Sequence, residues 1–209
     1  FDVPFSDDAA TRRRLWAHAG VVVDSLSVRV LVLGVRCAGS SPLARWLGEA
    51  SDDGIPFVVT MHHLERFSVT LHSPEVSVCE NPAVVEAAAR ELGPRSNPLI
   101  CTEGQPSAAV SVLLAGFEGK VRWRGDFDWT GLRTTTSAIA RYGAVPWRMD
   151  ADTYRRGVAR GDSELLKAGD RQCESAWDPG LASAMRDSGR AVMEERIVDE
   201  LLTDLAAVT

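Results

Sequence analysis

Two aspartates one residue apart, Asp126 and Asp128, stand in the stretch VRWRGDFDWTGL over 121–132. The residues before them read as a strand, and alternate strand residues share a face, so both carboxylates are expected to converge just past the strand end. Gly125 and Gly131 bracket the pair and are expected to let the backbone turn sharply on both sides. Carboxylates that close repel each other, and a hard divalent cation, Mg2+ or Mn2+, is the usual remedy. Glu80, at the end of VSVCEN, is the acid expected to join them. Such a cation polarises a phosphodiester, stabilises the leaving oxygen and lowers the pKa of an attacking water. The competing reading makes Asp126 and Asp128 only a turn former and a helix cap.

The elements that must position these acids follow an alternating pattern over 76–150. VSVCEN, PLICTEG, VRWRGDFD and AVPWRMD read as strands, separated by the helices PAVVEAAARELG, SAAVSVLLAGF and LRTTTSAIARYG. Pro82 near a helix start, Gly93 at its end and Ser107 as a cap support those boundaries. Strands alternating with helices predict an α/β fold, a Rossmann-like parallel sheet with helices on both faces. Chemistry in such sheets sits at the C-terminal strand ends, which here carry Glu80, Thr102–Glu103, Asp126–Asp128 and Asp150.

Upstream, the pattern predicts a helix over 12–20 capped by Thr11, and strands at 21–23 and 27–35. SSPLARWLGEAS then reads as a helix, PFVVT as a strand, and MHHLERF as a helix capped by Thr60. Downstream of Asp150 the pattern turns helical, over 151–161, 163–169, 178–189 and 194–208. The last helix carries an apolar stripe of Ile197, Val198, Leu201, Leu202 and Leu205, and its acids, Glu194, Glu195, Asp199, Glu200 and Asp204, read as a solvated face. The expected organisation is a lead-in over 1–75 packed on the core, a core over 76–150, and a helical C-terminal extension over 151–209.

Composition narrows the function classes. The chain has 209 residues, 45% of them hydrophobic and 25% charged, as in an ordinary globular protein. No apolar run approaches the roughly 20 residues that span a bilayer, so no membrane partner is expected. Cys37, Cys79, Cys101 and Cys173 show no metal-ligand spacing, and a reducing cytoplasm fits them better than a disulfide framework. The adjacent His62 and His63 diverge in a helix and make a poor ligand pair. The chain begins at Phe1, and a fragment lacking an N-terminal part is expected. Net charge is −6, which argues against a free-standing nucleic-acid binder. Residues 81–160, however, carry 11 Lys and Arg against 8 Asp and Glu, a sign that suits a phosphate-bearing substrate.

The order strand–Glu, helix, strand, helix, strand–DxD resembles the Toprim arrangement of topoisomerases, primases and related nucleases. VCENPAVVEAAARELG, PLICTEGQPSAAVSVLL, GDFDWTGLR and PWRMDADTY together resemble the C-terminal Toprim domain of the JetD-like subunits of Wadjet anti-plasmid systems. Topoisomerase VI A-subunit Toprim domains are a more distant likeness. The resemblance runs over about residues 12–205 and is strongest from Val78 to Tyr154. It implies a Mg2+-dependent DNA endonuclease using metal-activated water, within a bacterial SMC-like ATPase complex. Glu80 then contributes to metal binding and proton transfer, and Asp126 and Asp128 hold the metal. Glu103, Gln105, Arg124, Arg133 and Arg148 become candidates for phosphate or outer-shell contacts, with Arg124 also placed to pair with Asp126. DNA, the ATPase subunits and the chain's own N-terminal domain are the implied partners, and a homodimer stays open. Tyr142 and Tyr154 lie in helical contexts without a winged-helix frame, so strand passage is not supported.

Two alternatives stand beside this reading. One is a Toprim-like module that assembles the same complex without catalysis. The other takes DFDWT as the D-x-D-x-T of haloacid-dehalogenase-like phosphatases, with Asp126 as nucleophile, Asp128 as acid/base, and Lys167 and GDRQCE imitating later motifs.

Overall fold

The alternation of Val30, Val32 and Leu33 with more exposed neighbours builds β1 (Arg29–Leu33), and PFVVT forms β3 (Phe57–Thr60) beside it. The computed structural model describes residues 24–161 and 163–206; the helix expected over 12–20 and the strand at 21–23 lie outside them. Between these strands runs α1 (Pro42–Asp53), with Ser41 as its N-cap and Pro42 opening the first turn. After β3, Thr60 caps α2 (Met61–Arg66) in a capping box whose return bond comes from His63, so that histidine has a structural role.

The central unit follows as β5 (Glu75–Cys79), α3 (Pro82–Glu91), β6 (Leu99–Cys101), α4 (Ala108–Leu113), β7 (Lys120–Trp123), α5 (Trp129–Tyr142) and β8 (Val145–Pro146). One six-stranded sheet results, in the order β3-β1-β6-β5-β7-β8. The strands β6, β5, β7 and β8 run parallel, as the alternation predicts. The fully parallel expectation needs one correction: β1 is antiparallel to both β3 and β6. No crossover helix joins β1 directly to β6, so nothing in the chain forces those two strands to agree in direction. β1 and β3 belong to the main sheet. Two two-residue pairs lie outside the sheet, β2 (Cys37–Ala38) with β4 (Thr70–Leu71) and β9 (Glu164–Leu165) with β10 (Arg190–Ala191).

Alternate strand residues serve separate cores on the two faces. Val76, Val78, Ile100, Val121 and Trp123 pack with α1 and α4 on one face. Cys79, Leu99 and Cys101 pack with α3 and the C-terminal helices on the other. Cys79 and Cys101 are buried and free, as an apolar strand context predicts.

The helical C-terminal pattern is borne out in α6 (Ala151–Ala159), α7 (Pro179–Ser188) and α8 (Val198–Leu205). The helix expected over 163–169 is instead strand β9 paired with β10. That run lies between Gly161 and Gly169, and its backbone pairs with Arg190–Ala191 instead of closing a helical turn. The final helix begins as a 3-10 turn, Glu194–Ile197, before α8, and Ile197, Leu201 and Leu205 are buried as the stripe predicts. Among the described residues, no helix is long and apolar enough to cross a membrane.

Candidate functional site

In the parallel unit, β6 lies on one side of β5 and β7 on the other, so chain direction switches between β5 and β7. Ligands of open α/β sheets bind beyond the carboxyl ends of strands at such a switch point. Glu80 follows β5 there, and Asp126 and Asp128 follow β7. Three carboxyl groups from two stretches are therefore brought to the same end of the sheet, close enough for Asp126 and Asp128 to act on the charge of Glu80.

Close backbone approach makes the arrangement possible. A Cβ on Gly125 would lie 3.1 Å from Gly131 Cα and 3.2 Å from Glu80 Oε2. A Cβ on Gly131 would run into the Asp126 carbonyl. Neither glycine has a positive φ, so they supply room rather than the sharp turn expected from sequence. Asp128 is the N-cap of α5, its Oδ1 accepting from the Gly131 N–H at 2.7 Å. Asp126 Oδ1 accepts from the Glu194 N–H at 2.8 Å. Each aspartate has its second oxygen free of protein hydrogen bonds among the described residues. Asp128 is thus a helix cap, and capping occupies only half of its carboxylate.

The electrostatics record the crowding. Burial raises the Glu80 carboxyl to about 7, with Asp126 and Asp128 adding repulsion and the Asp126 N–H opposing it. Burial raises Asp126 to about 6; the Glu194 N–H opposes this, and Asp128 and Glu195 push it further up. Paired, mutually repelling carboxyls with raised proton affinity suit acid–base work near neutrality or a divalent cation. The donor set is all oxygen, which fits Mg2+, an ion that takes one or two carboxylates and keeps several waters. Among the described residues, however, no three His, Cys, Asp or Glu side chains are already gathered in a ligand cluster. The full three-carboxylate cage is not pre-formed.

Beneath the acids, Arg124 is fully buried, and its partner is not the expected Asp126 but Glu194, with Nε 3.7 Å from Oε1. Its Nη1 donates to the carbonyls of Trp147, 3.4 Å, and Arg148, 3.1 Å, and its Cζ lies 5.0 Å from the Phe127 ring centroid. Glu194 is the residue that sequence reasoning missed, since it was assigned to a solvated face. Burial raises its carboxyl to about 8, while Arg124 and the N–H groups of Asn81 and Glu80 oppose that rise. An available signal was the spacing of Glu194, three residues before Ile197 and seven before Leu201 on the apolar stripe, and a charge buried there needs a buried counter-charge such as Arg124.

The family model described as "Protein of unknown function C-terminus (DUF2399)" matches residues 57–205. The chain belongs to the DUF2399 family. No curated protein matches it. The DUF2399 match takes in Glu80, Asp126, Asp128, Arg124 and Glu194, so the whole switch-point constellation lies within the family domain.

Several other candidates in this DUF2399 domain are engaged elsewhere. Glu103 forms a two-bond pair with Arg29, at 3.1 and 3.2 Å. Arg148 binds Asp204 through Nε at 2.6 Å and Nη2 at 2.7 Å, and Glu200 at 3.0 Å, so its side chain faces α8 rather than the acids. Glu103 and Arg148 also hold left-handed backbone, φ 53 and φ 50, a conformation that costs a side-chain-bearing residue about 1–2 kcal/mol. At Arg148 this turn lets the carbonyl reach Arg124 while the side chain reaches α8. Gln105 is exposed. Arg133, in the first turn of α5, donates to Thr130 Oγ1 and to the Arg171 carbonyl. Asp150 caps α6 with both oxygens. Lys167 is exposed, and among the described residues no hydrogen bond or ion pair joins it to Asp126 or Asp128.

Proposed function

We propose that the chain is a Toprim-type nuclease module that hydrolyses DNA phosphodiesters with Mg2+ or Mn2+ as part of an SMC-like, Wadjet-type plasmid-defence complex. The observation that carries the proposal is the meeting of Glu80, Asp126 and Asp128 at the β5/β7 switch point, where burial and then neighbouring carboxylates raise the proton affinity of Glu80 and of Asp126. The family match over 57–205 spans the stretch in which the JetD-like resemblance is strongest, which supports the same reading.

In this reading the free oxygens of Asp126 and Asp128 would hold the cation, with Glu80 completing the site. A bound divalent cation would supply polarisation of the phosphodiester and an acidified water. In the metal-free chain the Glu80 carboxyl is raised to about 7, and a cation bound beside it would favour the ionised form that can accept a proton. The Glu194 and Gly131 N–H groups fix the inner oxygens and so aim the outer ones.

Cleavage of supercoiled plasmid in Mg2+ or Mn2+, with the ATPase partners present, tests the proposal. The wild-type chain is expected to nick or linearise the plasmid, and Glu80→Gln or Asp126→Asn/Asp128→Asn to slow it by about a hundredfold or more. Cleavage that survives both variants contradicts the assignment. A second reading, an assembly module without catalysis, draws on the absence of a pre-formed three-ligand cluster among the described residues. It predicts that the acid variants still join the complex while the wild type cuts nothing.

A further inference from the structure

The proposed chemistry uses the Glu194 main-chain N–H but leaves the buried Arg124–Glu194 side-chain pair unused. Burying two charges is costly, and apolar replacements of such pairs are often neutral or stabilising, so stability alone is a weak reason for it. As an ion pair it is also imperfect. Nε and Oε1 stand 3.7 Å apart, and Arg124 Nε, Arg124 Nη2 and Glu194 Oε1 have no hydrogen-bond partner among the described residues.

The well-made bonds of Glu194 point elsewhere. Its Oε2 accepts from the N–H groups of Glu80, at 2.9 Å, and Asn81, at 2.7 Å, where the chain leaves β5. Its own N–H donates to Asp126 Oδ1 at 2.8 Å, where the chain has left β7. The flanking backbone runs antiparallel to this loop, with reciprocal bonds between Phe127 and Val192. One residue therefore spans the switch point, gripping one strand end with its side chain and the other with its main chain. Two N–H groups converging on one buried oxygen are the form in which a carboxylate fixes backbone most firmly.

We infer that Glu194 is a positioning residue that sets the separation and facing of Glu80 and Asp126, an inference that rests on reading those two as cation-holding acids. Arg124 is its counter-charge, anchored on the Trp147 and Arg148 carbonyls. The C-terminal segment is then part of the site rather than an extension of it.

The test compares the wild-type chain with Glu194→Ala, Glu194→Gln and Leu205→Ala. Two readouts are taken: Mn2+ affinity by paramagnetic resonance, and amide hydrogen exchange at Glu80 and Asn81. Gln keeps an oxygen for the two N–H groups, whereas Ala keeps only the main-chain bond to Asp126. Leu205→Ala loosens the same segment from its far end without touching the acids, and controls for general destabilisation. Glu194→Ala is expected to weaken Mn2+ binding by about tenfold to a hundredfold, the range for lost outer-shell partners, and to speed exchange at both amides. Glu194→Gln is expected to recover most of the affinity, and Leu205→Ala to keep it. A folded Glu194→Ala with wild-type affinity overturns the inference, as does an equal loss in Leu205→Ala. Should Glu194→Ala fail to fold, Glu194→Asp, one methylene shorter, must show the loss, and wild-type affinity there overturns it. A wild-type chain that binds no Mn2+ contradicts the metal reading alone. The positioning role is then judged by amide exchange and the Asp126 carboxyl resonance, which must change in Glu194→Ala and hold in Leu205→Ala.

Discussion

Ionising Glu80 and Asp126 carries a desolvation cost, because both carboxyls are largely buried. Burial and then neighbouring carboxylates raise Glu80 from 4.5 to about 7, and burial above all raises Asp126 from 3.8 to about 6. The folded chain therefore holds these protons more tightly than the unfolded chain. The resulting stabilisation is fully present below the unfolded values and is lost as pH rises through the folded ones. At about 1.4 kcal/mol per pKa unit, the swing from Glu80 is on the order of 3 kcal/mol. Without divalent cations the melting temperature is predicted to fall between about pH 5 and pH 8, and Glu80→Gln to flatten that fall. Mg2+ is predicted to reduce it, because the cation favours the ionised form. A metal-free melting temperature that rises across this window would contradict the reading of a crowded, buried acid pair.

At the scale of elements, α8 is held to the sheet by charge as well as by its apolar stripe. Asp204 receives Arg148, Arg122 and the Trp147 indole N–H, and Glu200 receives Arg148, Arg156 and Arg160. Arg148→Met is predicted to destabilise the chain by about 2 kcal/mol, in the range of lost charge-assisted bonds, with Mn2+ and DNA affinity unchanged. A chemical-denaturant melt paired with a DNA-binding titration checks this; lost DNA affinity at full stability would restore Arg148 to the phosphate role that sequence suggests. The helices and the parallel strands were legible because 3.6-residue and two-residue periods, prolines near first turns and glycines at ends all agree over 76–150. The direction of β1 was not, because no crossover links it to β6. The role of Glu194 was hidden by its charge rather than by its spacing. Glu194 stands three residues before Ile197 and seven before Leu201, on the apolar stripe of a helical wheel, but a glutamate there reads more readily as part of the solvated face.

For the whole molecule, topology explains more than composition does. Either aspartate alone favours a cap over a metal site, and only Glu80 at a matching strand end favours the metal; Asp128 is indeed a cap. The strand order decides where the acids meet, because it sets the direction change between β5 and β7. That order depends on long-range pairing, which local patterns do not encode. Net charge is −6 with a basic excess over 81–160, so the proposed DNA reading requires partners to help hold the nucleic acid. The central claim, that Glu80, Asp126 and Asp128 together hold a divalent cation, is tested most directly by calorimetric titration of Mg2+ or Mn2+. The comparison is the wild-type chain against Asp126→Asn/Asp128→Asn, in which Asn keeps the acceptors for the Glu194 and Gly131 N–H groups and removes only the charge. The account predicts saturable binding to the wild type, weakened by about a hundredfold or more in the folded double variant. Equal binding by the two proteins, or none by a folded wild-type chain even with a short DNA duplex present, would contradict it.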